Sequence, residues 1–207
     1  MTTQKKYKLL KNDTKKTPDG KTLLRIQALI DFSIFKKGEK GGYIEKEDNL
    51  SQEGDAWVYG NARVYGDAQV YGDARVYWNA QVYGNARVYG NARVYGNAWV
   101  YENAQVYGDA WVCGNARVFG DAWVYGNARV YGNARVYGNA WVYENAQVYG
   151  DAWVYGNARV YGNARVFGDA WVYGRFDLTV SIDYELPRIV IDTDKKLKKL
   201  KEFLETF

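Results

Sequence analysis

Small and large apolar positions alternate with polar and aromatic ones between residues 54 and 173, where one six-residue unit occurs twenty times without an insertion. The unit reads Gly-Asn/Asp-Ala-x-Val-Tyr and first opens at Gly54. Alanine and valine are invariant, the variable position x is Arg, Trp or Gln, and the sixth is Tyr except at Cys113, Phe119 and Phe167. A repeat this regular determines the fold before any local pattern is considered.

The spacing of the unit predicts short β-strands of about four residues joined by tight corners. Side chains alternate across an extended strand, so Ala and Val share one face while x and Tyr share the other. We therefore predict that Ala and Val point into the core and that Arg, Trp, Gln and Tyr point outward. Gly followed by Asn or Asp tolerates positive φ and lets the chain turn between strands.

One unit in this phase, Val64–Gln69, reads Val-Tyr-Gly-Asp-Ala-Gln and resembles the hexapeptide-repeat family, which repeats an aliphatic and a small residue every six positions. The resemblance implies an all-β fold, a left-handed parallel β-helix with three hexapeptides per coil of a triangular prism. The chain departs from the family in one respect. A Tyr follows nearly every valine, where the family usually has a small or acidic residue.

A closer resemblance is to uncharacterised bacterial and phage proteins built on NARVYG repeats and often labelled as acyltransferases. Those proteins carry leading segments similar to Arg25–Phe32, Gly41–Glu45 and Asn49–Gly54. The likeness covers residues 7 to 173. It implies the fold with high specificity and says almost nothing about function.

Two other folds fit parts of the pattern. Gly-Asn between short β-rich runs is also typical of hairpins in an antiparallel meander, although the constant strand length and the lack of longer loops favour the helix. A right-handed, four-sided helix requires a period of five rather than six. With three hexapeptides per coil, the repeats make more than six coils and extend about 32 Å at the spacing of parallel strands.

Three segments follow from this pattern: residues 1–53, the repeats at 54–173, and residues 174–207. A β-helix leaves an open strand edge at each end, so we expect the flanking segments to act as caps. The first segment contains strand-like stretches at Tyr7–Leu10 and Thr22–Phe32, separated by a polar turn around Pro18–Gly20.

The last segment is predicted to contain strands and an amphipathic helix. The alternating residues are Phe176, Leu178, Val180 and Ile182, followed by the apolar run Ile189–Ile191. The helix begins near Thr193 or Asp194, and its apolar stripe consists of Leu197, Leu200, Leu204 and Phe207. This helix either caps the last coil or binds another chain.

Charge narrows the choice of partner. The repeats contain nine Arg against seven Asp and two Glu, whereas residues 1–53 contain twelve basic and eight acidic groups. The net charge of +4 therefore belongs to the N-terminal segment. A nucleic-acid-binding rod normally carries a basic stripe, so this pattern does not favour nucleic acid as a partner.

Outward aromatic residues are the main candidates for an interaction surface. We predict that each Tyr stacks on the Tyr eighteen residues later, with Arg over some of these rings. A ligand-binding role for these rings is the alternative. The same spacing places Trp123 over Trp141 on one side of the prism and Trp153 over Trp171 on an adjacent side. Exposed aromatic patches commonly mark interfaces, so these four residues either bind a second copy or a protein partner, or simply stack.

The chemistry of the chain does not favour catalysis. The sequence has no histidine, the base or zinc ligand of the enzymes known on this fold, and no loop interrupts the repeats. Cys113 is the only cysteine, which excludes an intramolecular disulfide or a cysteine zinc cluster. It is interpreted as an altered Tyr position rather than a nucleophile. We therefore expect no enzyme activity, no cofactor and no metal.

The sequence predicts a cytoplasmic protein, in the host cytoplasm if the gene is carried by a phage. The stretch Met1–Lys16 is polar and rich in lysine, and no apolar run is long enough to span a membrane. The leading hypothesis is a structural or interaction protein that presents aromatic and Arg columns to itself or to a protein partner. The alternative is a phage-type inhibitor that binds a host protein or a small anionic ligand. Acyl transfer has the weakest support.

Overall fold

The computed structural model describes residues 4–174 and 177–179, and its elements are almost entirely β-strands. One 3-10 turn spans Glu47–Asn49. In chain order the strands are β1 (Tyr7–Lys16), β2 (Thr22–Ala28), β3 (Lys40–Ile44), β4 (Trp57–Val58), β5 (Arg63–Val64), β6 (Gln69–Val70), β7 (Arg75–Val76), β8 (Gln81–Val82), β9 (Arg87–Val88), β10 (Arg93–Val94), β11 (Trp99–Val100), β12 (Gln105–Val106), β13 (Trp111–Val112), β14 (Arg117–Val118), β15 (Trp123–Val124), β16 (Arg129–Val130), β17 (Arg135–Val136), β18 (Trp141–Val142), β19 (Gln147–Val148), β20 (Trp153–Tyr155), β21 (Arg159–Val160), β22 (Arg165–Val166), β23 (Trp171–Tyr173) and β24 (Asp177–Leu178).

The repeat strands form three parallel sheets, because every third strand pairs with its neighbour one coil away. Sheet 1 runs from β4 to β22, sheet 2 contains β1 to β3 and then β5 to β23, and sheet 3 runs from β6 to β24. The register joins residues eighteen apart, as in the pairing of Val118 with Val136. This confirms a parallel β-solenoid with three six-residue units per coil and excludes the antiparallel meander for the repeats. The left-handed sense in which the chain coils stays a prediction.

Alanine and valine fill the interior of the solenoid. From Ala56 to Val166 both residues of every repeat are buried, and their stacked side chains form one continuous hydrophobic core. The predicted inward and outward sets are therefore confirmed. Small side chains are needed here because three sheets converge on a narrow interior, and alternation across the strand delivers them every second residue.

Corners are built from glycine, and they are longer than the sequence suggested. Gly90 has φ 66°, and a Cβ atom placed on it would lie 3.0 Å from the amide nitrogen of Gly108 in the next coil. Glycine is required both for this conformation and for the close approach of stacked backbones. Each corner absorbs four of the six residues, so most strands have two residues rather than the predicted four.

The N-terminal segment extends sheet 2 with antiparallel strands. β1 pairs with β2, β2 pairs with β3, and β3 joins β5 in parallel register. The turn predicted around Pro18–Gly20 is present, with Gly20 at φ 86°. The predicted second stretch is shorter than expected, because Phe32 leaves the strand and forms a bridge with Phe35. These two rings pack against buried Trp57 of the first coil.

This segment also supplies the hydrogen-bond donors that a preceding coil would provide. The buried ammonium of Lys6 donates to the carbonyl oxygens of Glu53, Gly54 and Ala56 at 3.2, 3.0 and 3.0 Å, and its burial lowers its pKa to about 8. The side-chain amide of Asn49 donates to two further carbonyls of the first coil. Carbonyl groups at an unpaired edge are costly unless they are satisfied. The division into three segments stays a prediction.

At the other end, Leu178 is buried in β24, which pairs with β21. The remaining predictions for the C-terminal segment lie outside the described residues. They are the strand positions Phe176, Val180 and Ile182, the run Ile189–Ile191, and the helix near Thr193 or Asp194 with Leu197, Leu200, Leu204 and Phe207.

Candidate interaction surface

The exterior of each sheet carries three columns of side chains that run along the solenoid axis. We call them the corner column (Asn or Asp), the variable column (Arg, Trp or Gln) and the Tyr column. Members of a column are eighteen residues apart, and many of them contact the member in the next coil. The exterior is thus a repeating surface rather than a single pocket.

The Tyr columns stack ring on ring, as predicted. Ring centroids of successive members lie 4.8 to 5.1 Å apart along the columns, with nearly parallel planes in most pairs. Phe119 continues this stack between Tyr101 and Tyr137. Partial burial of the rings against each other is the main cause of the raised pKa values of the Tyr101 and Tyr137 hydroxyls. The columns thus have a structural use that does not require a ligand.

The ring contacts that the structure describes for Arg of the repeats are made with Trp rings of the variable column, except at Arg75, which lies over the ring of Phe35. The expected placement of Arg over Tyr rings is not among these contacts. Arg93 and Arg129 lie on either side of Trp111 at 5.2 and 4.8 Å, and Arg159 lies 4.6 Å from the ring of Trp141. Arg and Trp occupy the same column one coil apart, whereas Tyr lies two residues further along the strand. The direct cross-strand neighbour is therefore the closer partner.

The four candidate Trp residues form two stacked pairs. Trp123 and Trp141 stack at 5.1 Å in sheet 3, and Trp153 and Trp171 stack at 4.8 Å in sheet 2. Each ring is half-buried, and Trp123 and Trp153 also meet the edge of a Tyr in the preceding coil. Because the pairs belong to different sheets, a flat partner surface can cover only one pair at a time.

Cys113 leaves a gap in the Tyr column of sheet 1, between Tyr95 and Tyr131. The thiol is half-buried, and burial raises its pKa, against the opposing effects of the Tyr95 hydroxyl and the Arg129 guanidinium. A thiol kept protonated is a poor nucleophile. Its environment fits an altered Tyr position.

Three corner positions were missed by the sequence interpretation, although the departure from Gly is visible in the repeat. Trp78, Glu102 and Glu144 adopt φ values of 61°, 59° and 58°, which cost a residue with a Cβ about 1–2 kcal/mol each. Glu144 compensates in part, since its carboxylate accepts a hydrogen bond from the Gly162 amide at 2.8 Å. Trp78 is 59% exposed. Its ring meets the edges of Tyr77 and Tyr95.

The corner columns contain hydrogen-bonded amide ladders. In one column Asn79 donates through its side-chain amide to Asn97, Asn97 to Asn115, Asn115 to Asn133, and Asn133 to Asp151. Every bond runs in the same direction, so each Asn accepts from one coil and donates to the next. An Asp accepts but cannot donate, and therefore ends a ladder.

Asp109→Asn is expected to stabilise the fold by about 0.5 kcal/mol. Asn91 donates to Asp109 at 2.9 Å, and a new ladder starts with the bond from Asn127 to Asn145. The new amide joins the two ladders into one. The matched control is Asn97→Asp, which breaks a continuous ladder and should be destabilising. Urea unfolding midpoints measure both, and shifts of the same sign in the two variants would contradict the ladder as a source of stability.

The described part of the chain was also compared with the requirements of a metal site and of a membrane-spanning helix. Among residues 4–174 and 177–179, no group of three or more Asp, Glu or Cys side chains is placed to hold a metal ion. No helix within these ranges has the length and apolar character needed to cross a membrane.

The fold and its exterior columns define a β-solenoid repeat protein. The repeat described as YdcK Beta solenoid repeat matches more than half of the chain, at residues 56–68, 68–79, 80–91, 86–102, 110–126, 128–144, 146–160 and 158–174. The chain belongs to this family of β-solenoid repeats. No curated protein matches it. The finer resemblance to hexapeptide-repeat and acyltransferase-labelled proteins stays an expectation.

Proposed function

We propose that this protein is a non-enzymatic structural or interaction protein that associates with itself, or with a protein partner, through its Trp pairs. The observation that carries the proposal is the placement of Trp123 on Trp141 and Trp153 on Trp171 in consecutive coils. Aromatic rings that are already held by stacking lose little side-chain entropy on binding, and aromatic residues are enriched among the hot spots of interfaces.

The repeating exterior supports an interaction role over catalysis. Many of its outward side chains stack on the same residue type in adjacent coils, and the repeats keep a period of six residues without an inserted loop. Catalytic sites need convergent groups of different chemistry in a pocket. A cytoplasmic setting is part of the proposal, and it rests on the sequence.

Trp153→Gln combined with Trp171→Gln is expected to shift the protein from an oligomer to a monomer, if sheet 2 carries the interface. Gln occupies the same position of the repeat at Gln105 and Gln147, so the fold should persist while apolar interface area is lost. Sedimentation velocity measures the change in mass, and circular dichroism checks the fold.

Two further variants make this result decisive. Trp123→Gln with Trp141→Gln tests sheet 3 in the same way, and Trp111→Gln is the matched control, because Trp111 lies between two Arg rather than beside another Trp. An oligomer that dissociates in only one of the double variants assigns the interface. If wild type is a monomer, or if all variants keep the wild-type mass, self-association through the Trp pairs is wrong.

A small anionic ligand is the second candidate, favoured by the Arg side chains of the variable columns. In the described residues, the ion pairs all involve basic side chains of the N-terminal segment, and none involves an Arg of the repeats. The charges of these Arg residues are therefore available to an anion.

A further inference from the structure

Two arginines of the repeats face each other directly in adjacent coils of sheet 2. Arg117 in β14 and Arg135 in β17 are cross-strand partners, so their backbones are separated by one strand spacing of about 4.8 Å. Like charges directly opposite each other in a sheet are destabilising. An arrangement of this kind needs something to offset the repulsion.

Stacking holds both guanidinium groups in defined positions. Arg117 lies over the ring of Trp99 at 4.8 Å, and Arg135 lies over the ring of Trp153 at 4.6 Å. Both Arg side chains belong to half-buried residues, whereas Arg93, Arg129 and most other Arg of the repeats are exposed. The column thus reads Trp99, Arg117, Arg135, Trp153, and the two charges are enclosed between two aromatic rings.

No acidic group within the described residues neutralises this pair. No carboxylate oxygen of residues 4–174 or 177–179 lies within 4.0 Å of either guanidinium group. One side of the pair is formed by the neutral amides of Asn115 and Asn133, which are hydrogen bonded to each other at 2.9 Å. The ring of Phe119 continues the Tyr column on the other side.

The arrangement of Arg117 and Arg135 differs from that of the other neighbouring arginines in the repeats. On sheet 1, Trp111 separates the charges of Arg93 and Arg129. Arg75 and Arg93 are also cross-strand partners, but Arg75 donates to the Ser33 hydroxyl at 3.1 Å and contacts the ring of Phe35. Only the pair in the middle of sheet 2 combines direct opposition with stacking on both outer sides and no covering segment among the described residues.

We propose that Arg117 and Arg135 bind a phosphate group between them. The guanidinium group presents several N–H donors in a planar fork that matches phosphate oxygens, and its charge does not titrate in the physiological range. Two such forks one coil apart donate to different oxygens of the same dianion, which removes their mutual repulsion. Trp99 and Trp153 fix the forks in advance, so little side-chain entropy is lost on binding. The site shares Trp153 with the proposed interface on sheet 2, so it is tested with variants of Arg117 and Arg135 that leave both Trp pairs in place.

The test is a titration of the full chain with inorganic phosphate by isothermal calorimetry, in a chloride buffer of constant ionic strength. Wild type is expected to bind phosphate saturably. Arg117→Gln or Arg135→Gln should weaken the affinity by 10-fold or more, because each removes charged hydrogen bonds, and the double variant should show no saturable binding. Gln81 is the cross-strand partner of Trp99 in the same column, so Gln is compatible with this position.

Arg159→Gln is the matched control. Arg159 also stacks on a Trp ring, but its cross-strand partners are Trp141 and Asp177 rather than a second Arg. Its loss should leave phosphate affinity within 2-fold of wild type. Thermal unfolding in phosphate and in chloride gives a second readout, since a bound ligand stabilises the folded state. Phosphate should increase the Tm of wild type more than that of the double variant, in which only the general effect of the salt remains.

A parallel titration with adenosine monophosphate identifies the source of the phosphate group. Tighter binding than inorganic phosphate indicates a phosphorylated organic ligand that also contacts the aromatic column, and equal affinity indicates free phosphate. The proposal is wrong if wild type shows no saturable binding of either probe. It is also wrong if the folded double variant binds phosphate as tightly as wild type. The Arg variants keep both Trp pairs, so a loss of phosphate binding in them is not caused by loss of the Trp interface.

Discussion

Val118→Asp and Val136→Asp are each expected to destabilise the solenoid by several kcal/mol, because each places an unpaired carboxylate in an apolar interior. Both valines are fully buried, and they stack on each other in adjacent coils. The interior consists of Ala and Val, so no polar partner is available to the new charge. Loss of the far-UV β signal, or a large decrease in the urea midpoint, is the expected measurement.

Arg117→Asp is the control for this prediction, since it introduces the same carboxylate one residue earlier on the outward side. It removes the stack on Trp99 and should cost only about 1 kcal/mol. Equal destabilisation by the inward and outward substitutions would contradict the assignment of the two faces.

Alkaline unfolding is the second large effect expected, and it arises from the Tyr columns. Burial raises the pKa of many of these hydroxyls, including that of Tyr107 to about 12. In the unfolded chain a Tyr hydroxyl titrates near pH 10. A group whose pKa is raised in the folded state stabilises that state below the unfolded pKa, and the contribution is lost as pH rises through the folded pKa.

We therefore expect stability to be independent of Tyr ionisation below about pH 10 and to fall steeply above it. Many tyrosines contribute, so a modest shift at each produces a sharp cooperative transition. Stacked rings add to it, because the tyrosinates of Tyr107 and Tyr125 would be like charges with ring centroids 4.9 Å apart. The near-ultraviolet absorbance of tyrosinate should rise together with the loss of the β signal.

Tyr101→Phe and Tyr137→Phe provide the matched variants for alkaline unfolding. Phe119 lies between these two positions and shows that the stack accepts Phe. Each variant keeps the ring and removes one titrating group, so the alkaline midpoint should move to higher pH while stability at neutral pH changes little. Tyrosine titration centred at pH 10 in a protein that remains folded would contradict the prediction.

The Trp pairs were predictable by counting, because residues eighteen apart meet once the coil length is known. Trp123 with Trp141, and Trp153 with Trp171, are stacked as the arithmetic indicates. Whether either pair binds a partner is not decided by that arithmetic. The enclosure of Arg117 and Arg135 between two Trp rings was not predicted, because side-chain direction within a column depends on packing between coils.

The N-terminal segment shows where local pattern is insufficient. Tyr7–Leu10 was predicted to be a strand, yet β1 continues to Lys16 because pairing with β2 satisfies its backbone. Nothing in the local sequence indicates that Lys6 is buried, since a lysine is normally exposed. It is buried because its ammonium meets three carbonyl groups at the open edge of the first coil.

The sequence by itself determined the repeat, its period and the inward Ala and Val, and the resemblance of its unit to the hexapeptide repeat indicated a parallel solenoid with eighteen residues per coil. This was possible because the alternation of side chains across a strand is a local property, and the same pattern recurs in every unit of the repeat. Only the tertiary structure decided the strand length, the pairing of Arg with Trp instead of Tyr, and the donors that complete the first coil. These features depend on contacts between residues that are distant in the chain, where competing neighbours and unpaired backbone groups are brought together only by folding.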